Sequence, residues 1–247
     1  MRKVLGKIGF VWFGLVFASI FLLFYPFFFL FLSFEKLYPA ANFLRKIWAW
    51  GTFMLCGSFA KVYREQKSFH GPCVFVSNHT SYLDIVVFGL FAPLKMSFMG
   101  KIELSKIPLF GKFFGTVDIG VHRESVRGAH RAFLQSKDKL DKGYSILIFP
   151  EGTIWNKTPL LKPFKNGAFK LAIENKVPIV PVTFYNNFKA LPDEKFEYYP
   201  TIIKCKIHRA IKTDHLNIDD SNQLRDEIYN LIEQELIKNH IIHENNR

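Results

Sequence analysis

The chain has 247 residues, enough for one sizeable core with a small appendage. Apolar residues make up 49% of it, and ten of its 28 Phe fall within residues 10–34, which excludes a disordered or collagen-like chain. The net charge is +12; residues 1–70 hold nine Lys/Arg against two Asp/Glu, so the excess gathers beside the apolar segment, where it points to an anionic membrane surface and not to nucleic acid.

Residues 8–34 are 27 positions without a charge. A membrane-spanning helix needs about 20. The run is apolar all round, whereas a soluble helix is usually amphipathic. Arg2 and Lys3 imitate the start of a signal peptide, but the apolar run is too long and no A-x-A-like site follows, so a retained anchor is expected. A second apolar stretch, 47–60, contains Trp48 and Trp50 and has the length of an interfacial helix. Pro26 is a point where the first helix could kink or break. Basic residues flank both sides (Arg2, Lys3 and Lys7; Lys36, Arg45, Lys46, Lys61 and Arg64), so charge bias selects no orientation. We expect a two-helix anchor over 1–68 that dips into one leaflet and returns, with a single span as the alternative. A catalytic domain over 69–247 follows.

In that second part short apolar runs alternate with amphipathic stretches. Strands are expected over 73–77, 96–99, 116–121, 144–149, 179–184 and 202–207. Helices are expected over 82–91, 102–114, 125–140 and 166–175. A last helix, capped by Asp219 or Ser221, puts Leu224, Ile228, Leu231, Ile232 and Leu236 on one face. The alternation implies an α/β fold, a mixed sheet flanked by helices. Cys56, Cys73 and Cys205 are an odd number with no CxxC, so neither a disulfide framework nor a zinc ribbon is expected.

Four segments carry candidate chemistry. The first is Ser77-Asn78-His79-Thr80-Ser81-Tyr82-Leu83-Asp84. His79 in a strand-to-helix loop can meet Asp84 in the first helical turn. The carboxylate would then fix the imidazole tautomer and leave the other nitrogen free to take a hydroxyl proton. The same spacing recurs at His215 and Asp220, so spacing alone leaves a merely structural His79 open. The second runs from Gly100-Lys101-Ile102-Glu103-Leu104 through Pro108-Leu109-Phe110-Gly111 to Gly115 and Arg123. Lys101 and Arg123 can grip a phosphate, or belong to an ordinary basic surface. The third, Ile148-Phe149-Pro150-Glu151-Gly152-Thr153, sets a carboxylate and a glycine at the carboxyl end of a strand, the edge where open α/β sheets bind ligands. A capped turn would read the same way. Behind it, Lys162 and Lys165 stand near a helix start. The fourth, Val177-Pro178-Ile179-Val180-Pro181-Val182, is either a core strand or an apolar wall for an acyl chain.

In this order and spacing the four segments resemble the glycerolipid acyltransferase family, most closely the bacterial 1-acylglycerol-3-phosphate (lysophosphatidate) acyltransferases. The likeness covers about residues 70–210: NHxSxxD, K-x-E-L with P-x-F-G and R, FPEGT with PFKNGAF, and VPIVPV. The two-helix anchor is similar too. The resemblance implies His79 as general base and Asp84 as its orienter. It puts Lys101 and Arg123 on the acceptor phosphate or the oxyanion. Glu151, Gly152 and Thr153 would shape the acceptor site, Lys165 would bind substrate, and residues 177–182 would support the acyl-donor side. The implied reaction moves a fatty acyl group from acyl-CoA or acyl carrier protein to the free hydroxyl of lysophosphatidate, giving phosphatidate. It needs no cofactor, no catalytic metal and no covalent intermediate. The implied partners are membrane lipids and, as donor, acyl carrier protein; the implied place is a bacterial inner membrane, catalytic domain toward the cytoplasm. One position departs. The family usually reads E-G-T-R-S, and here Ile154 and Trp155 follow Thr153. That arginine normally helps hold the acceptor phosphate, so Lys157, Lys162 or Lys165 must substitute, or the acceptor is another lysolipid. A thioesterase and a non-catalytic membrane adaptor are the remaining alternatives.

Overall fold

The computed structural model describes residues 1–66, 69, 71–122, 125–193 and 195–243. Two helices come first, α1 (Arg2–Phe31) and α2 (Tyr38–Leu55). Then follow β1 (Phe59–Arg64), β2 (Val74–Ser77), α3 (Leu83–Phe91), β3 (Met96–Lys101), β4 (Ile119–Val121), α4 (Val126–Asp141) and β5 (Ser145–Ile148). The last elements are α5 (Gly167–Glu174), β6 (Ile179–Phe184), α6 (Asn187–Ala190), β7 (Ile202–Ile207) and α7 (Ser221–Lys238).

The strands form a mixed seven-stranded sheet in the order β1-β7-β6-β2-β5-β3-β4. From β6 to β4 the neighbours are parallel; β7 is antiparallel to β6, and β1 is parallel to β7. The central strands β2, β5 and β6 are buried at every position, as a parallel sheet covered on both faces requires. Strand alternation divides their side chains. Phe75, Leu147, Val180 and Val182 pack with residues of α1, α2 and α3. Val74, Val76, Ile146, Ile148 and Ile179 pack with α4, α5 and α7.

The expected two-helix anchor reduces to one candidate anchor helix. Among the described residues α1 alone is long and apolar enough to cross a membrane, by length and composition; α2 is not. α2 buries Asn42, Leu44, Trp48 and Phe53 on one side and exposes Phe43, Ile47, Trp50 and Met54 on another. Pro26 lies within α1 and does not end it. The phenylalanine run has a packing reason. Phe17 and Phe21 lie 4.3 and 5.0 Å from the Trp48 ring, and Phe28 meets Phe113 edge-on at 5.1 Å. At the other end of α1, Phe13 stacks on Tyr198 at 4.7 Å, and the Tyr198 N–H donates to the Gly6 carbonyl at 2.9 Å. A Cβ on Gly9 would sit 2.5 Å from the Tyr198 carbonyl oxygen, so only glycine allows this approach. α1 is thus held to the α/β body near both of its ends.

Other differences have local causes. β1 is not among the expected strands: α2 ends at Leu55, Gly57 turns the chain at φ +67°, and residues 59–64 become a strand paired with β7. The helix expected over 102–114 is two short 3-10 turns, Ile102–Lys106 and Phe110–Phe113. Pro108 cannot continue a helix, and Leu109 sits at φ +66°. The last helix buries Leu224, Ile228, Ile232 and Leu236, with Leu231 half-buried. Neither Asp219 nor Ser221 caps it; a reciprocal cap between Asn217 and Asp220 closes the 3-10 turn Ile218–Asp220 that leads into it. The three cysteines are buried and free.

Candidate active site

Neighbouring parallel strands present their carboxyl ends at one edge. The register Val76 opposite Ile148 places His79 and Glu151 each three residues beyond a paired position. The first and third segments therefore converge although 72 residues separate His79 from Glu151.

After β2 the chain turns at His79 and enters α3, whose first turn contains Asp84. The His79 Nδ1 lies 2.9 Å from Asp84 Oδ2. The same oxygen accepts the backbone N–H groups of Thr80 at 2.6 Å and Ser81 at 3.0 Å. Three donors on one oxygen suit a carboxylate, so the proton between the side chains belongs to Nδ1. Nε2 then carries the lone pair, and among the described residues it makes no hydrogen bond. Asp84 is fully buried and His79 nearly so. The imidazole lies flat on the Phe149 ring, 4.0 Å between centroids and 17° between planes. Ring stacking and the Asp84 bond together leave the imidazole one orientation.

Glu151 is buried as well, and both of its oxygens are occupied. Oε1 accepts the His79 backbone N–H at 2.8 Å, and Oε2 accepts that of Lys162 at 3.1 Å. Burial pushes its carboxyl up to about 8, against the opposing pull of the two backbone bonds. Glu151 therefore ties the His79 loop to the 150–165 loop through the backbone. Gly152 follows at φ +76°, and the Lys165 Cε and Nζ lie 3.4 Å from where a Cβ would stand. The Lys165 side chain covers that glycine, and the Lys165 backbone N–H donates to the Pro150 carbonyl at 2.9 Å. Thr153 is exposed on the same loop, and Ile154 and Trp155 are half-buried.

Lys101 ends β3 at this edge, exposed, with a loose 3.9 Å contact to Glu103. Arg123 lies outside the described residues. A cleft of about 170 Å³ opens beside Phe149 and is mostly apolar, walled by Met99, Ile148, Ala132, Phe133 and Leu171, with Lys165 at its lining. Of the fourth segment, residues 179–182 lie in β6, wholly buried in the sheet, and offer no wall to a ligand. The second His–Asp spacing closes nothing: His215 lies against Asp214 at 3.3 Å, and Asp220 accepts the Asn217 N–H at 2.8 Å.

Sequence reading missed two supports. Asn78 brackets the Phe184 backbone, accepting its N–H at 2.8 Å and donating to its carbonyl at 3.0 Å. Asn187 donates to Asp84 Oδ1 at 2.6 Å from 103 residues away. Neither contact leaves a signal in local periodicity.

The Acyltransferase family profile matches residues 60–185, half of the chain. A 1-acyl-sn-glycerol-3-phosphate acyltransferase of Helicobacter pylori is 32% identical over 130 residues, 52% of this chain and 55% of the relative. One of Chlamydomonas reinhardtii is 31% identical over 191 residues, 73% of this chain and 55% of the relative. The chain spans about half the length of these curated relatives. The crystal structure of the 1-acyl-sn-glycerophosphate (LPA) acyltransferase PlsC from Thermotoga maritima superposes with a TM-score of 0.79 at 23% identity, over 96% of this chain and 97% of that one; it shares the fold.

Proposed function

The chain belongs to the acyltransferase family, and we propose that it transfers a fatty acyl group from a thioester to the free hydroxyl of 1-acylglycerol-3-phosphate, giving phosphatidate. The observation that carries this is the His79–Asp84 pair at the carboxyl edge of the sheet, with Nε2 unengaged among the described residues. Nε2 takes the proton of the lipid hydroxyl as its oxygen attacks the thioester carbonyl. Asp84 holds the imidazolium that forms. The carbonyl oxygen becomes an oxyanion, stabilised by cationic and backbone N–H groups of the site. Collapse expels the thiolate of coenzyme A or acyl carrier protein, and the His79 proton goes to it. No acyl-enzyme forms, because the hydroxyl attacks the thioester directly.

Lys101, Arg123 and Lys165 are assigned to the acceptor phosphate, and the apolar cleft beside Phe149 to a fatty acyl chain. Glu151 acts by holding the His79 backbone, with Gly152 and Thr153 shaping the loop that follows. The names of the curated relatives support this acceptor. α1 is the membrane anchor, and the catalytic domain begins ahead of residue 69, because β1 (Phe59–Arg64) pairs with β7 in its sheet. Because α1 is packed against the α/β body near both ends, it lies along one leaflet and does not cross the bilayer. Its outer side exposes Leu5, Ile8, Trp12, Leu15 and Leu22 for that purpose. In a bacterium the domain sits, on this reading, at the cytoplasmic side of the inner membrane, because the donor thioesters are there.

Ile154 favours a second reading, the same chemistry on a lysolipid whose head group is not a simple phosphomonoester. One experiment separates them. Purified protein in vesicles receives lysophosphatidate with acyl-CoA or acyl carrier protein, beside a His79→Ala control, and product is read by mass. Phosphatidate that falls at least about 100-fold in the control supports the reading, in line with the contribution of about 10²–10⁴ from such a base. Product that persists in the control removes His79 from its role. Activity only with other lysolipids selects the second reading.

A further inference from the structure

We infer that Asn187 is a positioning residue for the His79–Asp84 pair, holding the Asp84 carboxylate in the orientation and charge state on which the basicity of His79 depends. The inference rests on the reading of His79 as base and adds a residue that stands outside all four sequence segments and beyond the matched family region.

The two oxygens of Asp84 are served unequally. Oδ2 has three donors, the His79 imidazole and the backbone N–H groups of Thr80 and Ser81. Oδ1 has one short donor, the Asn187 amide at 2.6 Å; the Thr80 hydroxyl stands off at 3.4 Å. Both Asp84 and Asn187 are fully buried, so no solvent replaces that amide. The amide has only one useful orientation. An ionised carboxylate accepts and cannot donate, so the nitrogen must face it. The Asn187 oxygen is left buried without a partner. A buried amide that leaves its own acceptor unsatisfied is retained at a cost. Its other end, on Oδ1, is the compensating contact.

The surrounding backbone fits this role. Asn187 opens α6, three residues after the strand end that Asn78 brackets at Phe184. The Ser81 hydroxyl donates to the Leu191 carbonyl at 2.8 Å, and the Tyr199 N–H to that of Ala190 at 2.8 Å. The end of β6 and α6 thus forms a fixed backing for the turn that carries His79. The other titratable groups facing the pair are Glu151 on the loop after β5, with Lys162 beyond it, and the Cys205 thiol on β7. None of them donates to Oδ1 among the described residues.

Without the Asn187 donor, charge on Oδ1 is less neutralised. Asp84 then pulls harder on the Nδ1 proton and stabilises the imidazolium, so His79 becomes more basic. A general base works when unprotonated, so the acid limb of the rate profile moves to higher pH.

The test is kcat and kcat/KM against pH for wild type, Asn187→Leu and Asn187→Ala in vesicles, with melting temperatures alongside. Expected is a kcat fall of about 10–100-fold, as for other groups that orient a reacting residue. KM changes less than about threefold, and the acid limb rises by about half to one pH unit, a change in hydrogen bonding to a charged group. The limb's midpoint does not depend on how much protein is folded, so a poorly folding Leu variant is still read, and Ala gives a second reading with a smaller side chain. An unmoved limb in both variants overturns the inference, whether or not activity falls, because a purely structural role lowers amplitude alone. His79→Ala run in parallel separates the two levels: activity retained there overturns the base assignment, whereas activity lost there with an unmoved limb in the Asn187 variants overturns only this inference.

Discussion

Glu151→Gln removes the buried acid that joins the two loops of the site. In the wild type both carboxyl oxygens accept backbone N–H groups, from His79 and from Lys162. A glutamine keeps one acceptor and turns an NH2 toward the other N–H, which costs about 1–3 kcal/mol for the lost and opposed bond. The larger effect is its pH dependence. Burial raises this carboxyl from 4.5 to about 8. Between those values the unfolded chain gives up the proton while the folded chain keeps it, so the wild type loses stability as pH rises. At about 1.4 kcal/mol for each pH unit the loss across the window is up to about 5 kcal/mol. The glutamine has nothing to titrate. The measurement is denaturant or thermal unfolding of both proteins in the same detergent from pH 4.5 to 8.5. The stability of wild type minus that of Glu151→Gln should fall through this range and level off above pH 8. A difference that stays flat, or grows with pH, refutes the account of Glu151 as a buried acid held by backbone bonds.

Two further outcomes follow from the structure. Asp118 forms a bidentate pair with Arg45 of α2 and accepts the Phe98 N–H at 3.0 Å, with both charged side chains almost buried. Asp118→Asn leaves the guanidinium without its counter-charge, which should cost about 3–5 kcal/mol and lower the melting temperature by about 10 °C in a scan of the detergent-solubilised protein; a change under about 2 °C would mean that this pair does not hold α2 to the sheet. Ile154→Arg should lower KM for lysophosphatidate about threefold to tenfold, with little change in kcat, in a steady-state acyl-transfer assay; an unchanged KM would mean that the lysines already provide the phosphate grip.

Much of the site was legible because its chemistry lies in short segments at strand ends. His79 and Asp84 stand five apart across a strand-to-helix turn, so local geometry lets them meet. Glu151 stands out for the same reason, at the end of β5, but its hydrogen-bond partners do not. It was read as shaping an acceptor site, and its oxygens face backbone N–H groups. Side-chain direction depends on which strand lies alongside, and no local pattern encodes that. The helix assigned to 102–114 failed at Pro108 and Leu109, where the chain abandons helical geometry. The first strand was missed because its edge position exposes most of it, which blurs the alternation.

By itself the sequence determined the α/β class, the position of all but the first strand, the apolar face of the last helix and the long apolar N-terminal helix. Those follow from periodicities of about two and 3.6 residues, which a linear chain displays. Only the tertiary structure decided the strand order, the packing of α1 along the α/β body, the Arg45–Asp118 pair and the contact of Asn187 with Asp84. Each joins residues far apart in the chain, 73 positions for Arg45 and Asp118 and 103 for Asn187 and Asp84. Their meeting is set by which strands become neighbours, a global choice made by burying both faces of one sheet.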